Sequence, residues 1–341
     1  MPYDDLVGEL QRGLDPVSVG AFPDGSLDDY FRLRDGETVL TSREAFATTV
    51  VEGRDSLRLE HVVTTPGGQA VNVAQQLDAL GDGVLLAGHL DHDDLAFPFE
   101  TVSMGAPARV NVLLLGDDDL LLVERSSDLT AWTFADLRDA LAGRVDAFLE
   151  RDALCCTNWA SVPGLPAATE RIAARNPDGG VFCIDPGTVT ARQAGDLLRS
   201  AARLQRAYDV VLSVNTDEAN RLAAAAGLDA RIDDPHDSGA VLESIRTDAG
   251  VTGVVVHAEA VAVAATASGT VSVPNLDVEG IVTTTGAGDR FSAAFARSLA
   301  AGWDWELSLA MGNACASHYV TVGETADCDD LRAYVTDNRQ S

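Results

Sequence analysis

Short apolar runs alternate over much of the chain with longer stretches in which apolar residues recur every third or fourth position. The runs predict buried strands, and the longer stretches predict amphipathic helices. Strands separated by helices of this length are joined by right-handed crossovers into a mostly parallel sheet, so the sequence predicts an α/β fold. The predicted strands are 153–158, 180–185, 209–214, 251–258 and 260–265, and the predicted helices are 134–151, 166–175, 191–207 and 303–322.

Ligands of such sheets bind beyond the carboxyl ends of the strands. Asp185 lies at one of these ends, where a turn or helix-capping role is the simpler interpretation and a position facing the site is the alternative. The sequence therefore directs attention to polar residues that follow the predicted strands.

The first third of the chain has shorter and more mixed segments. Residues 17–22 are an apolar run that predicts a first buried strand, and residues 26–65 break into short pieces of alternating character. In 108–124 two apolar segments flank an acidic turn at 116–119, which predicts a β-hairpin. A helix is predicted over 66–81, between these two regions.

Residues 283–295, TTTGAGDRFSAAF, lead into a long alanine-rich helix. Gly286 and Gly288 flank Ala287 at the turn, and glycine lets backbone N–H groups converge there. Because the first N–H groups of a helix lack internal partners and lie at the positive end of its dipole, this turn predicts a phosphate site. Asp289, in the first turn, is suited to accept a proton from an attacking hydroxyl; alternatively, it only stabilises the helix N-terminus.

Composition excludes several classes of function. The chain has 341 residues, a formal net charge of −29 and no lysine, which rules out a P-loop lysine or a lysine Schiff base. This acidity disfavours nucleic acid and anionic membranes as partners, and we expect a halophilic protein that needs salt to screen its own charge. The five cysteines lack metal-ligand spacing and are expected to be reduced. No secretory signal follows Met1 and no apolar run reaches ~18 residues, so a cytoplasmic location is expected.

Three motifs follow one another along the chain, GGQAVN at 67–72, NTDE at 215–218 and TTGAGD at 284–289. Together they resemble the signatures of the PfkB (ribokinase-like) carbohydrate kinases, over most of the chain. The resemblance implies a three-layer α/β/α sandwich that forms one domain over residues 1–341. It also implies a small β lid made from about 26–65 and 105–126.

The resemblance assigns the catalytic residues to the last motif. Gly286, Ala287 and Gly288 would form the anion hole for the transferring phosphoryl group, and Asp289 would be the catalytic base. Many members begin this motif with an acidic residue where this chain has Thr283, a departure that concerns metal or hydrogen-bond details rather than the base.

The resemblance also places residues near the phosphoryl acceptor. Gly67, Gly68 and Asn72 would touch it, and either Asp24 or Asp28, which follow the first strand, would bind sugar hydroxyls. Considered alone, the two glycines are a helix-entry turn and the two acids are turn or surface residues.

The segment Arg109-Val110-Asn111 resembles a strand in the branch of the family that phosphorylates sugar phosphates. By that resemblance Arg109 faces the phosphate of the acceptor, with Asn111 beside it, and a guanidinium matches phosphate bidentately. A surface arginine that pairs with an acid is an equal alternative.

On the nucleotide side, the resemblance assigns Asn215 and Glu218 to the ordering of Mg²⁺ and its waters. Thr285, His257 and Asn313 would border the nucleotide. The simpler interpretations are a helix-start Asn and Glu, and a strand-end histidine. Most ATP-dependent members have Thr or Ser where this chain has His257, and a histidine at about this place resembles the ADP-dependent branch. ATP is the favoured donor, but this departure leaves ADP open.

The expected activity is therefore transfer of a phosphoryl group to a hydroxyl of a sugar phosphate, with ribose 1-phosphate (giving ribose 1,5-bisphosphate) as the first candidate. A nucleoside or free-sugar kinase is the alternative, since it needs no phosphate-binding arginine. A non-catalytic sugar-binding sensor is the alternative of another class. Lid strands pair in dimers of this family, so a homodimer is expected.

Overall fold

The computed structural model describes residues 1–116, 119–124, 126–278 and 280–339. Its strands, numbered in chain order, are β1 (Ser18–Phe22), β2 (Ser26–Asp35), β3 (Thr38–Leu40), β4 (Arg58–Gly67), β5 (Gly83–Gly88), β6 (Glu100–Ser103), β7 (Ala108–Leu114), β8 (Leu120–Glu124), β9 (Ala153–Thr157), β10 (Val181–Asp185), β11 (Asp209–Val214), β12 (Gly253–His257), β13 (Val261–Thr266) and β14 (Gly269–Pro274).

The helices, also in chain order, are α1 (Pro2–Arg12), α2 (Arg43–Val51), α3 (Gln69–Ala79), α4 (Ser127–Ala131), α5 (Phe134–Ala140), α6 (Val145–Leu149), α7 (Leu165–Arg175), α8 (Ala191–Leu204), α9 (Thr216–Ala225), α10 (Gly239–Ala249), α11 (Ala287–Ala300), α12 (Trp305–Val322) and α13 (Cys328–Asn338). None of them, within the described ranges, is long and apolar enough to cross a membrane.

The central sheet has the strand order β14-β13-β12-β11-β10-β9-β1-β5-β6. Pairing is parallel from β12 to β6, whereas β13 and β14 add an antiparallel hairpin at the edge. Alternate residues of its strands face two helical layers: Leu154 and Cys156 of β9 pack with α5 to α10, and Ala153 and Cys155 pack on the side of α3 and α11. This confirms the predicted three-layer α/β/α sandwich.

A second sheet has the order β3-β2-β7-β8, with β4 also paired to β2. β7 and β8 are antiparallel, which confirms the predicted hairpin. Two residues of its predicted acidic turn, 117 and 118, lie outside the described residues. Several apolar side chains of this sheet are exposed to solvent, among them Leu59, Val63 and Leu122.

Two predicted segments differ in the structure. The helix predicted over 134–151 is two helices, α5 and α6, because Ala142 and Gly143 adopt positive φ angles of 48° and 90° and interrupt it. The region 26–65 contains the helix α2 in addition to strands; its N-cap Ser42 accepts a hydrogen bond from the N–H of Ala45 at 3.1 Å.

Candidate active site

A cleft of about 680 Å³ opens at the carboxyl ends of the central strands, between these strands and the second sheet. The N-termini of α3, α9 and α11 meet there, as the strand–helix order requires. Among the residues predicted from sequence, those that line the cleft are Asp24, Asp28, Gly68, Asn72, Asn215, Glu218, His257, Thr285, Gly286, Gly288 and Asp289.

Asp289 lies in the first turn of α11, and both of its carboxylate oxygens accept hydrogen bonds. Asn72 Nδ2 donates to Oδ2 at 2.7 Å, and Gln69 Nε2 donates to Oδ1 at 3.1 Å. Burial, followed by the charge of Asp185, raises the pKa of Asp289 to about 6. The side chain is therefore oriented, and its pKa lies close to neutral pH, as a general base requires.

The turn that begins α11 presents free backbone donors. Gly286 has a positive φ of 89°, and no hydrogen-bond partner exists among the described residues for the N–H groups of Gly288 and Asp289. The N–H of Ala287 donates to the carbonyl of Thr284 at 3.3 Å. Two unpaired N–H groups at a helix N-terminus form a site that favours an anion such as phosphate.

Sequence reasoning gave a position of Asp185 in the site only as an alternative and did not single out Gln69. Asp185 faces the cleft, where its Oδ2 accepts from Ser292 Oγ at 2.8 Å and its Oδ1 from Gln69 Nε2 at 3.2 Å. Burial raises its pKa to about 6. The signal for Asp185 was its position at a strand end. Gln69 lies within the motif GGQAVN, but the motif gave it no role, and its one amide nitrogen joins Asp185 to Asp289.

Asn215 and Glu218 form a reciprocal cap at the start of α9. The N–H of Asn215 donates to Glu218 Oε2 at 3.0 Å, and the N–H of Glu218 donates to Asn215 Oδ1 at 2.9 Å. Both the helix-start interpretation and a position in the cleft are therefore correct. Burial, then the charge of Asp185, raises the pKa of Glu218 to about 7.

These oxygens suit Mg²⁺, which prefers carboxylate and amide oxygens. No group of three or more His, Cys, Asp or Glu side chains converges for a metal within the described ranges. Asn215 and Glu218 would hold such an ion with water among its other ligands, since Mg²⁺ usually keeps several waters.

The structure distinguishes Asp24 from Asp28. The carboxylate of Asp24 accepts four hydrogen bonds, from the N–H groups of Gln69 and Ala70 and the side chains of Thr157 and Asn158, at 2.9 to 3.0 Å. It thereby joins the end of β1 to α3 and has little capacity left for a ligand. Asp28 accepts from Ser26 Oγ at 2.6 Å, and burial raises its pKa to about 6.

The two glycines before α3 make room for this arrangement. A Cβ on Gly67 would lie 2.3 Å from the carboxylate carbon of Asp28, and Gly67 does not line the cleft. Gly68 has a φ of 98°, and a Cβ there would lie 2.8 Å from Cα of Gly25. Both residues therefore permit close packing, and only Gly68 borders the cleft.

Besides Gly67, three more predicted ligand residues do not line the cleft, contrary to the expectation from sequence. Along β7, Ala108 and Val110 line the cleft, so the side chains of Arg109 and Asn111 point to the opposite face of the sheet. Arg109 is half-exposed and pairs with Asp29 at 3.1 Å. It is therefore the surface arginine paired with an acid that the sequence offered as the alternative. Asn313 is buried in α12, where its Nδ2 donates to the carbonyl of Val273 at 3.1 Å.

His257 lies in the cleft beside the turn of α11. A Cβ on Gly288 would approach its Cε1 to 2.9 Å, and its ring packs on Phe291 with the centroids 5.0 Å apart. Burial lowers the pKa of His257 to about 4, so the ring is neutral at pH 7. Its Nε2 is buried without a hydrogen-bond partner in the described part of the chain.

Comparison with known proteins identifies the family. A model of the prokaryotic ketohexokinase family matches residues 15–338. A ketohexokinase from Haloferax volcanii is 28% identical over 321 residues, which cover 86% of this chain and 82% of the relative. The ribokinase of Thermotoga maritima has a TM-score of 0.68 at 16% identity and covers 95% of this chain and 100% of its own.

Phosphofructokinase-2 from Escherichia coli has a TM-score of 0.69 at 16% identity, with 96% of this chain and 100% of that chain covered. These structures show the ribokinase-like fold that the sequence motifs implied. The chain therefore belongs to the prokaryotic ketohexokinase family of PfkB-type sugar kinases, and it is a phosphotransferase with an alcohol group as acceptor.

Proposed function

We propose that the protein transfers the terminal phosphoryl group of MgATP to a hydroxyl of a free ketohexose such as fructose. The observation that supports this most directly is the charge of the cleft. Five carboxylates line it, and no arginine or lysine does so among the described residues. Such a cleft repels a second phosphate and accepts the hydroxyls of a neutral sugar.

This charge argues against ribose 1-phosphate, the acceptor favoured by the sequence. That expectation depended on Arg109, which pairs with Asp29 on the other face of its sheet. The named activities of the family and of the Haloferax volcanii relative agree with a free-sugar acceptor.

Asp289 accepts the proton of the attacking hydroxyl, because its carboxylate is held by Asn72 and Gln69 and its pKa is raised to about 6. The free N–H groups of Gly288 and Asp289 stabilise charge on the transferring phosphoryl group. Asn215 and Glu218 would hold Mg²⁺, which when bound offsets the charge of the nucleotide phosphates.

Asp28 binds the sugar, since its carboxylate faces the cleft and has a single hydrogen-bond donor, Ser26, in the described part of the chain. The second sheet covers the opposite side of the cleft with apolar side chains of Ala108, Val110, Leu121 and Val123. We assign it the role of a lid on the single domain, which excludes water from the phosphoryl group and so limits hydrolysis.

Exposed apolar side chains on two edge strands of the lid suggest a homodimer. Leu59, Val62 and Val63 of β4 and Leu122 of β8 expose between 40% and 50% of their surface. Pairing of two lids would cover these side chains. Light scattering in molar KCl tests this, and a monomer would refute it. Use of ATP and five free thiols accord with a cytoplasmic enzyme.

The activity is tested by ³¹P NMR in molar KCl with MgCl₂, with ATP or ADP as donor and fructose, ribose, ribose 1-phosphate or adenosine as acceptor. We expect a new phosphomonoester from fructose with ATP, and none with D289N. R109A should leave the KM for fructose unchanged. Product from ribose 1-phosphate or adenosine alone would refute the proposal, and absence of any turnover would favour a sugar-binding sensor.

A further inference from the structure

Arg290, the residue after the proposed base, is a buried cation without an ion pair. It is 4% exposed, and no carboxylate lies within salt-bridge distance of it among the described residues. Asp289 is adjacent in sequence, but its oxygens are bonded to Asn72 and Gln69 instead. Burying an unpaired charge is costly, so a compensating anion is expected.

Arg297, on the same helix, shows how the fold treats a buried arginine that only has a structural role. Its Nε and Nη2 each donate to the carboxylate of Asp82 at 3.1 Å, and both side chains are almost fully buried. The acidic chain thus provides a partner for Arg297. Within the described ranges it provides none for Arg290.

The guanidinium of Arg290 lies beneath the turn that forms the anion site. Its Nη1 donates to the carbonyl of Gly286 at 3.2 Å, its Nη2 to Thr325 Oγ1 at 3.4 Å, and its Cζ lies 4.0 Å from the centroid of the Tyr319 ring. A Cβ on Gly286 would lie 2.7 Å from Nη1, so the glycine at this turn accommodates the arginine.

This position is electrostatically unfavourable in the absence of a ligand. The N-terminal end of a helix carries a partial positive charge, which repels a cation and attracts an anion. The dipole of α11 and the positive charge of Arg290 therefore both favour a negatively charged ligand beside the free N–H groups of Gly288 and Asp289.

We propose that Arg290 is a positioning residue of the anion site, which fixes the Gly286 turn through its carbonyl and adds positive charge that stabilises the phosphoryl group during transfer. The hydrogen bond from Arg290 Nη1 to the carbonyl of Gly286 fixes the orientation of the peptide group that directly precedes the residues with free N–H groups. Arg290 does not line the cleft, so it acts through the turn and through its field rather than by contact with the substrate. The inference depends on the proposed kinase site.

The test compares R290M and R290K with R297K, a control on the same helix that lies outside the cleft. MgADP with tetrafluoroaluminate, a mimic of the phosphoryl group in transfer, is the probe, and MgADP alone is the reference. R290M should bind MgADP within about twofold of the wild type but the fluoroaluminate complex about tenfold or more weakly. R290K, which keeps the charge and loses the planar fork, should recover part of this loss. R297K should match the wild type in both.

Turnover gives a second readout that a structural role would not move. R290M should lower kcat with little change in the KM for fructose, because it affects charge that develops in the transition state. The inference is overturned if R290M, folded by circular dichroism, retains wild-type affinity for the fluoroaluminate complex. If R290M does not fold, R290K decides: wild-type affinity and kcat in R290K would equally overturn it.

The binding assay separates this inference from the proposed substrate. A wild type that binds the fluoroaluminate complex but leaves fructose unchanged would refute the ketohexose acceptor, and weakened binding in R290M would still support Arg290. A wild type that does not bind MgADP with tetrafluoroaluminate would refute the kinase site and this inference together.

Discussion

Replacement of Asp185 by asparagine should extend activity to lower pH. Gln69 Nε2 donates to Asp185 Oδ1 at 3.2 Å and to Asp289 Oδ1 at 3.1 Å, so these two oxygens are at most about 6 Å apart. At that distance and an effective dielectric constant of about 20, two unit charges repel by roughly 3 kcal/mol, which is about 2 pKa units. This repulsion contributes, after burial, to the raised pKa of Asp289, so its removal should lower that pKa.

The direction of the effect on rate follows from the role of Asp289. A general base must be deprotonated, so wild-type kcat/KM should fall below a pH of about 6. In D185N this acid limb should move down by about 1 to 2 pH units, and the plateau should fall because a weaker base accepts the proton less readily.

The assay measures kcat/KM for fructose at saturating MgATP, from about pH 5 to about pH 9 in molar KCl. D209N is the matched control, because Asp209 is exposed at the start of β11, at the opposite end of the sheet from the cleft. The control undergoes the same change in net charge and the same titration of ATP. If D185N is folded and its acid limb coincides with that of D209N, the proposed coupling between the two carboxylates is wrong.

Three more variants test the stability and the geometry of the site. D289N should abolish turnover and melt at a higher temperature than the wild type at about pH 8, with a smaller difference at about pH 4, because the raised folded-state pKa makes this carboxyl increasingly destabilising as the pH rises from 3.8 to about 6; equal melting temperatures at pH 8 would contradict this. G288A should lower kcat because its Cβ would lie 2.9 Å from Cε1 of His257, and G288A/H257A should recover part of kcat; no recovery would show that the clash is not the cause. D82N should lower the free energy of unfolding in urea by about 3–5 kcal/mol, by removing the partner of the buried Arg297, with kcat unchanged; a loss below about 1 kcal/mol would refute the assignment.

The central sheet could be predicted from sequence because its strands are buried on both faces. The runs that form β9, β10 and β11 are mostly apolar and are bounded by helical periodicity, so both the existence of these strands and their parallel orientation could be predicted. The break between α5 and α6 was not, since Ala142 has a left-handed conformation that alanine rarely adopts.

Motif resemblance placed the proposed base and the glycine turn in the cleft, where the structure has them, but misplaced Arg109. Strand alternation carried a signal against it: Ala108, Val110 and Val112 are the apolar face of β7, and Arg109 belongs to the other face. The alternation of apolar and polar residues distinguishes the two faces of β7, whereas only the structure shows that the apolar face borders the cleft.

The choice between Asp24 and Asp28 depended on contacts that are distant in sequence. Asp24 is bonded to Thr157 and Asn158, more than a hundred residues away, and these bonds fill its carboxylate. No local pattern contains that information. The same is true of Gln69, whose importance appears only when α3, β10 and α11 are brought together.

The raised pKa values of the cleft describe a site that is incomplete without its ligands. Asp28, Asp185, Glu218 and Asp289 each have a pKa of about 6 or 7, in each case mainly because of burial. Folding therefore buries acids that would ionise more readily in the unfolded chain, which lowers stability at neutral pH. Mg²⁺ with a nucleotide would relieve this cost at the acidic side of the cleft, and the nucleotide phosphates would satisfy the turn beside Arg290. The unfavourable charges of both signs thus mark where Mg²⁺ and the phosphates of the donor are expected to bind.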